Sequence, residues 1–327
     1  MPEVTVLIAV YNAVPFLDTC LRSLQAQTMP RWQAVCVDDA STDGSLALLR
    51  EYEQADSRFQ VLSLDYNQGQ AHARNVALEH AQGRFTCFLD ADDWLSPDAL
   101  QLAVDRANQT GADSVLFDVS YEYADGRQEN YQLPDGFQCL TGQEAFRLSL
   151  DWQLHGVYLV STYLHRRFPY DETCRSYSDD NTTRLHYLAS ARVARCSGVY
   201  HYRQHEASTT HAVSVRRFDY LRANESMKQQ LVQLHSSQEV LRQWETIRLQ
   251  TLVDTYMFYH CHGKSLPKDH RCYGLAEMHR IWRSLDRKLL DQRVASKFGY
   301  RPMSSWLLFR LQEWTYFTLR GMAGKNR

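Results

Sequence analysis

No apolar run in this chain approaches the length needed to cross a bilayer. Neither sign of charge dominates: 36 Lys and Arg stand against 38 Asp and Glu, a formal net charge of −2. A general attraction to nucleic acid is therefore not implied. Nothing repeats at a fixed period, and no segment is low in complexity. Cysteine is present without a pattern. The eight residues at 20, 36, 87, 139, 174, 196, 261 and 272 are scattered, several inside apolar runs. They read as reduced, buried thiols of a cytosolic protein, not as a disulfide framework. His260, Cys261, His262, His270 and Cys272 match no standard zinc spacing. Met1-Pro2-Glu3 runs straight into a strand and leaves no room for a signal peptide. Tyr11-Asn12-Ala13-Val14-Pro15, which follows that strand, holds no glycine. The Gly-x-Gly-x-x-Gly turn of dinucleotide-dependent oxidoreductases and the Gly-rich loop of nucleotidyltransferases are both missing there.

What is present is an ordinary apolar content and an alternation of strands and helices. The 327 residues suffice for one large domain, or for one domain with an appendage. Val4 to Val10 is a β-branched run that reads as a central strand. Pro15 opens a helix with Leu17, Leu21 and Leu24 at helical spacing. Ala34 to Val37, Phe59 to Leu64, Phe85 to Leu89 and Ser114 to Val119 read as further strands. Helices are expected from about Ser45 to Tyr52, Gln70 to Ala81 and Pro97 to Thr110. Short connections between such elements predict an α/β fold, a mostly parallel sheet flanked by helices on both faces.

In sheets of this kind ligands bind beyond the carboxyl ends of the strands. Tyr11, Asp38-Asp39 and Asp90-Ala91-Asp92 all stand at such ends and should share one crevice. Phe88-Leu89-Asp90-Ala91-Asp92-Asp93-Trp94 is the densest of these stretches, with three carboxylates in four residues. Their repulsion would be relieved by a divalent cation, and carboxylates spaced Asp-x-Asp suit a hard ion such as Mn²⁺ or Mg²⁺. A bare Asp-x-Asp is equally at home as an acidic turn before a helix, and Asp38-Asp39 alone as a cap. The combination points to a nucleotide site. Tyr11 would stack a base, Asp39 would accept from a base N–H, and Asp90 and Asp92 would serve ribose and metal.

Four blocks in order carry a resemblance: Val4 to Asn12; Val37-Asp38-Asp39-Ala40-Ser41-Thr42-Asp43-Gly44-Ser45; Asn67-Gln68-Gly69 with Ala73-Arg74-Asn75; and Phe88 to Leu95. Together they resemble the signature of family 2 glycosyltransferases of the GT-A fold, tightly over about residues 4 to 119 and more loosely to about 210. The resemblance implies an inverting enzyme, a hexosyl- or N-acetylhexosaminyltransferase that uses a nucleotide sugar, most often a UDP-sugar. By the same resemblance, Tyr11 and Asp39 hold the uracil, Arg74 sits near base or phosphates, Asp90 near the ribose, and Asp92 ligates the metal. Ala9 stands where some members have a polar residue, so one uracil contact comes from its backbone or is lost. Asn67 reads as a turn residue. A catalytically inactive nucleotide-sugar-binding module of the same fold is the alternative.

Tyr121 to Tyr131 alternates around Asp125-Gly126 and predicts a hairpin. Trp152, His155 and Tyr158 begin an aromatic segment suited to sugar rings or to core packing. Ser178-Asp179-Asp180-Asn181 opens a helix with Leu185 and Leu188 inward. Inverting transfer needs a carboxylate opposite the leaving group. The family commonly has Glu-Asp here, so the resemblance assigns Asp180 as the base, with Asp179 as the alternate. Arg192 to Ala194 and Val199 to Tyr202 read as two short strands. His201 to Thr210 resembles the family's Tyr-Arg…Ser-x-Thr segment, which closes over the diphosphate. Arg203 would neutralise phosphate charge there, and His205 or His211 would complete the metal sphere.

The expected domains are 1–215, with a donor half of about 1–119 and an acceptor half of about 120–215, and a helical C-terminal region at 216–327. In the latter, the pattern is helical from Phe218 to about Tyr259, with a break at His235-Ser236-Ser237. Ser305 to Arg320 has a wide apolar, aromatic face followed by the basic residues Lys325 and Arg327. It reads as a peripheral membrane helix, or as one packed on the catalytic domain or a second subunit of a homodimer. The family resemblance implies a saccharide or lipid-linked saccharide acceptor, which favours the membrane contact, and the expected place is the cytoplasm, at the inner face of the plasma membrane.

Overall fold

A computed structural model describes residues 1–173, 177–204 and 213–324. The chain divides into two compact units, Met1–Glu172 with Asp179–Thr210, and Thr173–Ser178 with His211–Arg327.

The first unit runs β1 (Val4–Val10), α1 (Val14–Gln25), β2 (Trp32–Asp38), α2 (Ser45–Ala55), β3 (Phe59–Ser63), α3 (Gln70–Glu79), β4 (Phe85–Phe88), β5 (Trp94–Leu95), α4 (Ala99–Thr110), β6 (Ser114–Tyr123), β7 (Gln128–Asn130), β8 (Cys139–Thr141), α5 (Gly142–Ser149), β9 (Tyr158–Ser161), α6 (Thr162–Arg167), α7 (Ser178–Ala189) and β10 (Arg192–Gln204). The strands form one sheet in the order β3-β2-β1-β4-β9-β6-β10-β5, with β7 on β6 and β8 on β10. The β3-β2-β1-β4 half is parallel throughout, as is the long β6–β10 pair. Between them β9 runs antiparallel to both of its neighbours.

In β1 only Ala9 escapes full burial, as expected of a strand covered on both faces. Successive side chains point to opposite faces. Val6, Ile8 and Val10 therefore enter one apolar cluster with Leu17, Leu21 and Leu24 of α1. Leu7, Val35 and Val37 enter another with Ala73 and Ala77 of α3. The predicted hairpin forms, with Glu122 facing Gln128 and Ser120 facing Asn130. Two expectations need correction. Residues 192–204 are one strand of 13 residues, not two short ones. Its one irregularity is a register shift between Arg195 and Val199. A Cβ on Gly198 would lie 2.7 Å from the Ala99 Cα, so the strand passes α4 where a side chain cannot fit. Second, the thiols are not all buried: Cys20, Cys36, Cys87 and Cys196 are, whereas Cys139, Cys261 and Cys272 are exposed.

The second unit is helical: α8 (Asp219–Gln233), α9 (Gln238–His262), α10 (Lys268–Ser284), α11 (Gln292–Ala295) and α12 (Trp306–Met322). The expected break is present. His235 takes a left-handed φ of 50°, and the Ser237 Oγ accepts from the Val240 N–H to cap α9. Phe218, Leu249, Leu252, Ile281, Phe309 and Phe317 lie at the centre of its core. Arg248 is wholly buried between Glu245 and Glu225, with Lys228 on Glu245. No helix among the described residues is long and apolar enough to cross a membrane.

Candidate active site

β2, β1 and β4 lie side by side, with Val10 in register with Asp38 and Leu7 with Phe88. Neighbouring strands are about 4.8 Å apart, so the residues that follow them emerge together. Asp39 is buried, and its two carboxylate oxygens accept the backbone N–H groups of Gln68 (2.7 Å) and Gly69 (2.8 Å). Gly69 has φ 94° just before α3, a conformation that other residues reach only under strain. The next residue, Gln70, donates its Nε2 to the Asp90 Oδ1 at 2.9 Å. Three consecutive residues thus tie Asp39 to Asp90. Asn67 donates its Nδ2 to the Asp39 carbonyl, which suits its reading as a turn residue.

Tyr11 stands at the mouth with 52% of its surface exposed. The next residue knits two loops together: Asn12 N donates to the Ser41 Oγ (3.0 Å), and the Asn12 Oδ1 accepts from Thr42 N (2.8 Å). Ala9 is paired with Val37 and offers a methyl group where a polar side chain would hydrogen-bond.

Arg74 is not on the surface. It is buried, with Nη2 2.5 Å from the Asp90 Oδ1 and its guanidinium 4.2 Å from the Phe88 ring centroid and 5.2 Å from that of Tyr170. Burial pushes the Asp90 carboxyl above its ordinary value, Arg74 pulls it back, and the Asp92 charge pushes it up again. Asp93 has a role that sequence reasoning missed. Its Oδ2 accepts from the Tyr200 hydroxyl (2.7 Å) and its Oδ1 from Arg203 N (2.8 Å). The Tyr200 hydroxyl accepts in turn from Asp90 N (3.1 Å). Asp93 therefore fastens β10 to the acidic loop. Burial, followed by the charges of Asp90 and Asp92, lifts its carboxyl to about 8. The only hint in the sequence was a third carboxylate without an assignment, because its partners lie more than a hundred residues on.

Arg203 Nε donates to the Asp92 carbonyl at 2.8 Å. Its guanidinium carbon is 4.7 Å from the Trp94 ring centroid and 5.2 Å from that of Phe16. The charge expected near the diphosphate is thus held on the backbone of the residue expected to bind metal. His205 and His211 lie outside the described residues. Crowding that raises the proton affinity of Asp90 and Asp93 fits a divalent cation, and all-oxygen donors fit a hard one. Asp93 has both oxygens engaged, one by the Tyr200 hydroxyl and one by Arg203 N. No group of three His, Cys, Asp or Glu that could hold an ion alone occurs among the described residues.

Asp179 and Asp180 open α7. The Asp179 charge is felt at both Arg74 and Asp90, which links this helix end to the acidic crevice. Burial, and then the neighbouring Asp179, raise the Asp180 carboxyl to about 7, against the opposing pull of Arg184. A carboxylate with a proton affinity near neutrality is suited to general-base work. The helix is anchored from behind by His186. Its Nε2 lies 2.9 Å from the Phe168 carbonyl, which can only accept, so that nitrogen carries the proton. Its Nδ1 then accepts from the Tyr158 hydroxyl at 2.7 Å. Of the three residues that open the aromatic segment, His155 and Tyr158 are buried and Trp152 is exposed.

The family model described as Glycosyl transferase family 2 matches residues 5–168. The putative glycosyltransferase EpsH of Bacillus subtilis (strain 168) is 28% identical over 271 residues, which cover 75% of this chain and 78% of that protein. The putative teichuronic acid biosynthesis glycosyltransferase TuaG of the same strain is 44% identical over 100 residues, 31% of this chain and 40% of that protein. Among solved structures, S. aureus TarS 1-349 in complex with UDP-GlcNAc superposes with a TM-score of 0.77. The match covers 99% of this chain and 92% of that one at 18% identity, a likeness of fold.

Proposed function

The chain belongs to glycosyl transferase family 2, and from that premise we propose that it moves a sugar from a UDP-sugar to a hydroxyl of a saccharide or lipid-linked saccharide, with inversion, in the synthesis of a cell-surface polysaccharide. The observation that carries the reading is the tie from Asp39 through residues 68–70 to Asp90, with Asp92 beyond. It gathers base, ribose and diphosphate chemistry in one crevice. Residues 1–119 form the donor half, 120–215 the acceptor half, and 216–327 the helical region.

Tyr11 stacks on the uracil. Asp39, whose oxygens each keep a second lone pair, accepts from its N–H. The Ala9 backbone faces the same base. Asp90, held by Arg74, orients the ribose. Asp92, with His205 from outside the described residues, would hold Mn²⁺ or Mg²⁺. A bound ion there supplies charge neutralisation for the departing diphosphate. Arg203 adds a fixed cation on the same side. Asp180 takes the proton of the acceptor hydroxyl, whose oxygen attacks the anomeric carbon opposite the leaving UDP. Asp179 is the alternate base. A thermal-shift panel of nucleotide sugars with Mn²⁺ tests the reading, since a ligand that binds only the folded state raises the melting temperature. UDP-sugars should stand out, and a panel led by another nucleotide, or flat throughout, would end it.

The terminal helix supports a peripheral membrane contact at the cytoplasmic face. Leu307, Leu308, Leu311, Trp314, Leu319 and Met322 of α12 are exposed, while Glu313, its sole acidic residue, is buried. An exposed apolar face of this kind suits a lipid surface. Sedimentation with anionic liposomes should pull down the full chain and lose it when Leu311 and Trp314 become Ser. Lipid-independent dimerisation that those changes abolish would assign the face to a second copy instead.

A further inference from the structure

We propose, resting on the transferase reading above, that Trp152 is the platform on which a pyranose ring of the acceptor stacks, so that one ring hydroxyl faces Asp180. Of the tryptophans in the first unit, Trp32 is buried and Trp94 is half-buried against His201. Trp152 is left 43% exposed. Its exposure is not that of a loose loop. Leu154, two residues on, is wholly buried, and the N–H groups of Gln153 and Leu154 both donate to the Leu148 carbonyl (2.9 and 3.3 Å). The Tyr131 hydroxyl donates to the Trp152 carbonyl, and the Tyr131 ring packs edge-on against His155 at 4.9 Å. Trp152 itself is held at φ 61°, an unusual conformation for a bulky side chain. Such strain persists where the surroundings over-determine it, and it concentrates at ligand sites.

The indole is fixed relative to the proposed base. The Arg184 guanidinium carbon lies 5.0 Å from the ring centroid, and Arg184 is buried. Residues 180 and 184 are neighbours on one face of α7, about 6 Å apart along its axis. The Arg184 charge acts directly on the Asp180 carboxyl. The indole thus stands against a buried guanidinium one helical turn from Asp180. Pyranoses present a face of C–H groups that packs on the electron-rich face of an aromatic ring. Open-chain polyol phosphates have no such face. The acceptor unit that the site takes is therefore cyclic.

Labelling the full chain with 5-fluorotryptophan tests this directly. The Trp152 resonance is assigned by its loss in Trp152→Phe. Methyl β-pyranosides of glucose, galactose and N-acetylglucosamine, with glycerol 3-phosphate and ribitol 5-phosphate as open-chain probes, are titrated to about 50 mM, ample for millimolar binding. At least one pyranoside should move the Trp152 resonance while the polyol phosphates leave it in place. No response to any pyranoside, or an equal response to the polyols, overturns the proposal. UDP with Mn²⁺, titrated into the same sample, reads the donor site separately, so a failed donor reading is told apart from a failed platform. In turnover with a responding pyranoside, Trp152→Ala should raise the acceptor KM on the order of tenfold or more, with kcat and UDP affinity kept and Trp152→Phe largely restoring it.

Discussion

Replacing Asp179 by Asn should move the acid limb of the pH–rate profile to lower pH. Asp180 is lifted from 3.8 to about 7, with burial the largest cause and the Asp179 charge the second. The share owed to Asp179 is thus smaller than that of burial. Two like charges about 7 Å apart at an effective dielectric near 20 repel by about 2 kcal/mol. Solvent on this half-exposed helix end reduces that to roughly 1.4 kcal/mol, or about one pH unit. The base works only when deprotonated, so a lower pKa leaves more of it active in mild acid. The Asn side chain can still accept the Asp180 N–H, which now goes to the Asp179 Oδ1 at 3.2 Å. Initial rates of UDP release, taken at subsaturating acceptor and fixed Mn²⁺ over a range of pH, give the limb of kcat/KM. The expected shift is from near pH 7 to near pH 6, whatever happens to the amplitude. A limb that stays put, or rises, refutes the coupling. If Asp179→Asn instead abolishes turnover while Asp180→Asn retains it, the roles of the pair are exchanged.

Asp180→Asn should leave UDP binding by calorimetry nearly intact while transfer falls on the order of 10²- to 10⁴-fold; wild-type turnover would remove Asp180 from the mechanism. Glu313 gives a stability prediction. Burial raises its carboxyl from 4.5 to about 8, and its Oε2 has no hydrogen-bond partner among the described residues. Between those values the folded state holds a proton that the unfolded chain has lost, so stability falls as pH rises from about 4.5 to about 8. Glu313→Gln, neutral throughout, should match the wild type near pH 5 and melt higher near pH 8.5, by up to a few kcal/mol. Parallel melting curves across that range would contradict it.

Much of the donor half was legible because local pattern and tertiary role coincide there. Val4 to Val10 is apolar on both faces, as a covered parallel strand must be, and Asp39 and Asp90 follow strands whose order places their ends together. Legibility failed where long-range contacts decide. Tyr158 to Ser161 has four residues and no alternation, yet it is the strand that joins the two halves of the sheet. Trp94-Leu95 pairs only with the distant Tyr200 and His201. Asp93 takes its meaning from Tyr200 and Arg203, and Arg74 is buried only because Tyr170 and Phe88 close over it. Trp152 shared its segment with buried aromatics, and nothing in residue type separates an exposed indole from a core one.

The central claim is that remote carboxylates converge on one cation and the diphosphate it holds. Calorimetric titration of UDP into the wild type and Asp92→Asn, each with and without Mn²⁺, tests it most directly. The account predicts binding by the wild type that needs Mn²⁺ and is lost or greatly weakened in Asp92→Asn. UDP binding that is equal in both proteins and indifferent to Mn²⁺ would contradict it.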